Sequence, residues 1–186
     1  MPDSATKAAW LDAGAVEFQQ RGYNATGIAA LAARSGALKG SFYNYFPSKE
    51  AFALEVIAGY CGAAGLEILA GDAPPDERIR AHFEHLRREL RRRGDAFGCL
   101  LGNFAGEVAA DNPVIRGAIE AAFDGWAGLL ADAIAEAQPD HADSAGPRAQ
   151  LLIDAWEGAL LRAKVTADPA PVEAFLASTL TLVLDA

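Results

Sequence analysis

The stretch GALKGSFYNYFPSKEAF, Gly36 to Phe52, decides how the chain is read. It holds Phe42, Phe46 and Phe52, the tyrosines Tyr43 and Tyr45, and the lysines Lys39 and Lys49 within a single short segment. Placed on a helical wheel, Leu38, Ser41, Phe42, Tyr45 and Phe46 fall on one continuous stripe, the spacing of a face that packs inward. Lys39, Gly40, Tyr43 and Asn44 fall on the opposite face. A solvated helix ordinarily carries Glu, Lys or Gln there. A tyrosine beside a glycine on an outer face calls for a partner.

Duplex DNA meets that demand. Gly40 lets the backbone approach a groove, Lys39 and Asn44 reach base edges or phosphates, and the Tyr43 hydroxyl can donate to a phosphate oxygen. Ser41 lies within the same segment, and Tyr45 stays open between core and DNA. Thr26 and Lys49 are placed at helix N-termini on either side, where free N–H groups and partial positive charge suit phosphates.

Upstream, Ser4 is expected to cap a first helix with Leu11, Ala15 and Phe18 on one face, ending at Gly22. Thr26 is expected to cap a second, which Ser35 and Gly36 stop. Two short helices joined by that tight turn, over about residues 27–46, make a helix-turn-helix. Ser48 caps a fourth helix reaching to Gly71. Further helices are expected on the stripe Ile79, Phe83, Leu86 and Leu90 to about Arg93, from about Cys99 to Ala110, on Ile115, Ile119, Ala122, Trp126 and Leu130 ending near Gln138, and at roughly 148–165 and 171–184. The expectation is an all-α chain of about nine helices, with GDAPPD (Gly71 to Asp76) as the clearest punctuation between an N-terminal helix-turn-helix domain, taken as residues 1–64, and a larger helical domain, taken as residues 65–186.

Bulk properties agree with a soluble helical protein. Of 186 residues, 52% are hydrophobic and 22% charged, which argues against disorder. No apolar run is read as reaching the roughly 20 residues of a membrane span, no signal peptide is read at the N-terminus, and two cysteines make no disulfide scaffold; a cytoplasmic protein without membrane contact is expected. The formal net charge is -9. Residues 1–60 are neutral, with Lys7, Arg21, Arg34, Lys39 and Lys49 against Asp3, Asp12, Glu17, Glu50 and Glu55. Acidity of the whole therefore does not exclude local DNA contact.

The segment Thr26 to Phe52, with its Thr-led helix, small-residue turn, Lys39-Gly40-Ser41-Phe42-Tyr43, Phe46 and Ser48-Lys49-Glu50, resembles the DNA-binding domain of TetR-family transcriptional regulators. The resemblance implies an all-helical homodimer that binds a palindromic double-stranded operator and releases it when a small molecule occupies the larger domain. One position departs from the family pattern: Leu38 stands where a small polar residue usually opens the recognition helix. Periodicity places it on the inner stripe.

The larger domain shows no nucleophile–base pair and no cofactor motif, so neither catalysis nor a cofactor is expected. His82 and His85 are three apart on a helix; a solvated surface pair is favoured over a metal pair, and no metal is expected. The basic run Leu86 to Arg93 reads as a solvated face offset by Glu84 and Glu89. Gly98, Gly102 and Gly106 recur every four residues, which permits close packing or a cavity. Phe97, Cys99, Asn103, Phe104, Trp126, Trp156 and Lys164 are the candidate ligand-binding residues, a mostly apolar set with few polar groups. The Gly98-Cys99-Leu100 segment and Trp156 to Lys164 resemble a branch of the family that includes sensors of reactive electrophiles or small unsaturated acids, in some of which a cysteine and a lysine take part. A dimer interface is expected on the last two helices, through Leu152, Trp156, Ala159 and Ala163 and through Phe175, Thr179, Leu182 and Val183. The alternative is a helical small-molecule-binding or electrophile-scavenging protein whose DNA binding has decayed.

Overall fold

A computed structural model describes residues 3–93 and 98–184. Phe97, one of the candidate ligand residues, lies outside them. The described residues form nine helices and no strand: α1 Ser4–Ala25, α2 Ile28–Ser35, α3 Phe42–Tyr45, α4 Lys49–Gly62, α5 Pro75–Arg93, α6 Leu100–Val108, α7 Pro113–Ala137, α8 Ala145–Thr166 and α9 Ala170–Leu184. α3 is preceded by a 3₁₀ turn over Lys39–Ser41 and α9 contains a π turn over Phe175–Thr179. The chain divides into two compact units, 1–62 with 99–120, and 63–98 with 121–186.

In the first unit Asp3, not Ser4, caps α1: its carboxylate accepts from the N–H groups of Ala5 and Thr6. The buried stripe of α1 is Trp10, Ala13, Gly14, Glu17 and Phe18, a helical spacing of 3 and 4. Leu11 and Ala15, expected on that face, lie at its half-buried edge. Gly14 is required by the packing of α4 on α1, since a Cβ there would stand 2.4 Å from the Phe52 ring and 2.7 Å from Val56. Glu17 is buried and takes ion pairs from Arg34 of α2 (2.6 Å) and Arg21 (3.2 Å), which ties α2 to α1. α6 also packs on α1 in this unit.

α4 stops at Gly62 rather than running to Gly71; a separate 3₁₀ turn covers Leu66–Ile68. Contrary to expectation, the segment Lys49–Ile68 is long and apolar enough to cross a membrane, by length and composition. Its apolarity has a structural use, because Phe52, Ala53, Val56 and Ile57 of α4 are core residues of the first unit.

The second unit packs α5, α8, α9 and the later part of α7 around an aromatic cluster. Phe83 of α5 lies 4.9 Å from Phe175, 5.5 Å from Trp156 and 6.0 Å from Trp126, between ring centroids. The π turn of α9 begins at Phe175, the residue that enters this cluster. Buried Arg78 donates to the Leu69 carbonyl (2.8 Å) and pairs with Glu136. Arg148 of α8 donates to the carbonyls of Val183 and Leu184, satisfying the open end of α9. The basic run of α5 is offset as expected in kind, with Arg87 and Arg91 on Glu173 and Arg92 on Glu89.

His82 is not on a solvated face. It is fully buried, its Nδ1 lies 3.2 Å from the Gly65 carbonyl and its ring 5.7 Å from Trp126. His85 turns to the Ala63 carbonyl, 3.0 Å away. Three-residue spacing on α5 therefore points both rings at the 63–65 turn, and no metal-ligating cluster occurs among the described residues. Burial drives the His82 pKa down to about 4, against a partial opposing effect of the Gly65 carbonyl. The unfolded chain binds that proton near pH 6.5 and the native chain only near 4, so stability falls on acidification through this window. Wild type is expected to lose up to roughly 3 kcal/mol between those limits, from 1.36 kcal/mol per pKa unit. His82→Gln, measured by urea unfolding across pH, is expected to flatten the slope by one proton; an unchanged slope would place the titration elsewhere.

Candidate nucleic-acid interface

α3 is four residues long, too short to persist in water alone. It is held by Phe42, fully buried, whose ring lies 5.2 Å from Trp10, 5.2 Å from Phe46 and 5.3 Å from Phe52. The preceding turn is fixed by Leu38, whose carbonyl accepts from the Ser41 N–H (2.8 Å) and the Ser41 hydroxyl (2.7 Å). With the inner side anchored, Lys39, Gly40, Tyr43 and Asn44 are all exposed. Tyr43 is 65% exposed although its ring edge touches Phe42. A Cβ on Gly40 would meet nothing within 4 Å, so the outer side is open. Tyr45 is half-buried beside Phe46, and Ser41 is half-buried with its hydroxyl occupied.

Three expectations fail here. Thr26 is fully buried; its hydroxyl donates to the Gly22 carbonyl (2.7 Å), and the residue closes α1 instead of capping α2. Its side chain is thus withdrawn from any phosphate. Lys49 donates to the Tyr23 carbonyl and lies 4.2 Å above the Tyr23 ring. Burial lowers its pKa, partly countered by Glu107. Leu38, expected to pack inward, is 82% exposed. Its backbone is extended ahead of the 3₁₀ turn, so the helical wheel does not apply to it. Ser48 does cap α4, accepting from the Ala51 N–H at 2.9 Å.

An elbow at Gly22 supports this surface and was not read from the sequence. Gly22 has φ 78° and breaks the helical path of α1. The N–H groups of Tyr23 and Asn24 beyond it both donate to the Glu107 carboxylate of α6, each at 2.7 Å. A Cβ on Gly22 would stand 2.2 Å from that carboxylate. Asn112 donates to Glu50 at 2.7 Å, a second tie between the start of α7 and α4. The only sequence signal was Gly22 itself.

Of the ligand residues, Cys99, Asn103 and Phe104 belong to the first unit and Trp126, Trp156 and Lys164 to the second. Cys99 is buried just ahead of α6 and accepts from the Tyr60 hydroxyl at 3.7 Å. Asn103 donates to the Gln19 carbonyl, and Phe104 packs on Phe18 at 5.1 Å. Trp126 and Trp156 are buried in the aromatic cluster, while Lys164 is exposed. Gly98 precedes α6 with φ 67°, and a Cβ on Gly106 would meet nothing within 4 Å. The dimer residues also need correction: Leu152, Trp156, Ala159, Ala163, Phe175 and Val183 are buried within the chain, Thr179 is half-buried and Leu182 is exposed. The most apolar faces of α8 and α9 are their own core faces. The exposed apolar stripe of α8 is Leu151, Leu161 and Val165.

Comparison with known proteins gives this geometry a family. Residues 11–56 match the model of bacterial regulatory proteins of the tetR family, and residues 75–177 match the LmrA/YxaF-like transcriptional regulator C-terminal domain. The chain is 30% identical to the HTH-type transcriptional repressor DhaR of Mycobacterium sp., over 89% of this chain and 86% of that one. The chain belongs to the TetR family of transcriptional regulators. It is also 30% identical to the repressor NemR of Escherichia coli, over 85% of this chain and 83% of NemR. The crystal structure of regulatory protein TetR from Rhodobacter sphaeroides superposes with a TM-score of 0.84 at 28% identity, covering 96% and 98% of the two chains. The exposed ridge of α3 and its preceding turn falls within the matched residues 11–56, and this TetR-family chain is a DNA-binding transcriptional regulator.

The elbow makes a direct test. Glu107→Ala is expected to lower unfolding free energy by about 1–2 kcal/mol, the loss of a charged acceptor from one part-buried and one exposed N–H donor. Gly22→Ala is expected to cost at least as much alone, but less in the Glu107→Ala background, where the steric conflict is gone. Denaturant midpoints of the two single variants and the double variant measure the coupling; additive losses would show that the carboxylate does not occupy the niche.

Proposed function

We propose that the protein is a homodimeric repressor that binds a palindromic operator through the ridge Lys39, Gly40, Tyr43 and Asn44, and releases it when a small molecule binds the second unit. The observation that carries this reading is the ridge itself: four exposed residues presented by a 3₁₀ turn and the short helix that follows it, which Phe42 anchors in an aromatic core. The names of DhaR and NemR as repressors support the direction of regulation. Regulation rather than catalysis is the activity proposed, in the cytoplasm.

Dimerisation is proposed through Leu151, Leu161 and Val165 of α8 and Leu182 of α9, the exposed apolar residues of the two last helices. Gly158, exposed on α8 between them, permits close approach. Two such pairs make a four-helix interface and set the reading helices about 34 Å apart, one duplex turn. The ligand site is proposed at the aromatic cluster of the second unit. Trp126 Nε1 and His82 Nε2 are buried there with no hydrogen-bond partner, polar atoms among aromatic side chains. Occupation would shift the population toward a form whose spacing no longer fits the operator. Cys99, buried against Tyr60, remains the candidate for a thiol contribution to sensing.

Selection from a random duplex pool, followed by fluorescence anisotropy across salt, tests the reading. Wild type is expected to recover a palindrome. Lys39→Ala and Tyr43→Ala are each expected to weaken binding by about 1–3 kcal/mol per half-site contact. Lys39→Ala is also expected to flatten the salt slope if its ammonium meets a phosphate. Unchanged affinity in both variants would remove the ridge from the interface. Leu161→Arg with Leu182→Arg is expected to give a monomer by sedimentation and to abolish palindrome preference; a persistent dimer would place the interface elsewhere.

A further inference from the structure

Leu38 is the most exposed large hydrophobic residue of the first unit, at 82%, and it adjoins the ridge directly. Its side chain is left out of the core of the unit. Its backbone, by contrast, is firmly set: the carbonyl takes both the N–H and the hydroxyl of Ser41, and the extended conformation turns the side chain outward ahead of Lys39. An isobutyl group held at the leading edge of a short helix is poised for contact, with little conformational freedom left in its backbone to lose.

Its chemistry restricts what it can recognise. Leucine offers neither donor nor acceptor, so against a base edge it can only cover an apolar group. In the major groove, among the four common bases, that group is the C5-methyl of thymine. Against a guanine or cytosine edge the same side chain would strip water from polar atoms and return no hydrogen bond. We infer that Leu38 is a specificity-determining residue that reads a thymine methyl in each operator half-site. This inference rests on the DNA-binding role of the ridge, and it extends that role to a residue that the family's usual small polar residue would not fill in the same way.

The test replaces thymine by deoxyuridine, which lacks only the methyl. After wild type has selected its operator, each thymine of a half-site is replaced in turn, symmetrically in both halves. Wild type is expected to lose about fourfold per half-site at one thymine, the factor for one buried methyl group, and little at the others. Leu38→Ala is expected to bind the thymine operator more weakly and to be indifferent to deoxyuridine at that same position. Because the side chain is exposed, the variant's thermal melting is expected to match wild type, which separates lost contact from lost fold. Wild type indifferent to deoxyuridine everywhere overturns the inference. So does a methyl dependence that survives unchanged in Leu38→Ala, since another side chain then reads it. If wild type selects no duplex at all, the DNA-binding role of the ridge fails and this inference falls with it, a result distinct from either of the others.

Discussion

The arrangement of the first unit depends on one buried ring. Phe42 sits within 5.3 Å of Trp10, Phe46 and Phe52, and it belongs to a helix with only four residues. Such a helix has no stability of its own to spare; nucleation alone would forbid it in water. Its direction is inherited entirely from what Phe42 and Phe46 touch. Lys39, Gly40, Tyr43 and Asn44 face outward because the alternate positions are committed inward. A fully buried aromatic side chain contributes roughly 1.5–3 kcal/mol relative to exposure, and edge-to-face pairs add to that. The exposed ridge is therefore a by-product of core packing, and its precision is the precision of the core.

The elbow extends the same logic to α1 and α6. A carboxylate that accepts two successive N–H groups does the work of a helix cap, yet it comes from 84 residues away in the chain. Gly22 leaves room for it and adopts the conformation that turns the N–H groups toward it. Lys49 closes the arrangement from the other side, on the Tyr23 carbonyl and ring. A residue expected on phosphate is thus spent on holding α4 to α1. Glu107 lies on α6, one of the elements that return to the first unit after the chain has left it. Displacement of α6 would be felt first at two hydrogen bonds beside α2 and α3.

The helices and their order were legible because they rest on local signals: period, glycine and proline punctuation, and the Ser48 cap. The ridge was legible for the same reason, since Phe42 and Phe46 declare the inner face. What misled was context beyond the helix. Leu38 obeys a wheel only if it is helical, and it is extended. Thr26 looks like a cap until Gly22 bends α1 and presents a carbonyl to its hydroxyl. On α8 and α9 the most apolar stripe was taken for an interface, but Leu152, Trp156 and Phe175 serve the chain's own core. His82 looked solvated among arginines, although its period matches Phe83's side of α5, where the turn at Gly65 receives it. Glu107 could not be found at all, because nothing local distinguishes an acid that caps a distant kink from one that faces water.

An acidic chain that binds DNA is not a contradiction under this geometry. With a formal net charge of -9 and a neutral first sixty residues, long-range attraction cannot gather the duplex from a distance. Binding must instead come from short-range contacts that are correctly aimed, and those are the interactions a rigid aromatic platform can hold. The acidic remainder then has a use, since it disfavours loose association with arbitrary sequence, which is the electrostatic part of DNA affinity. Weak general attraction raises the share of binding that depends on base contacts. Under the proposed reading, specificity follows from where the ridge side chains are fixed, and only weakly from the total charge of the chain.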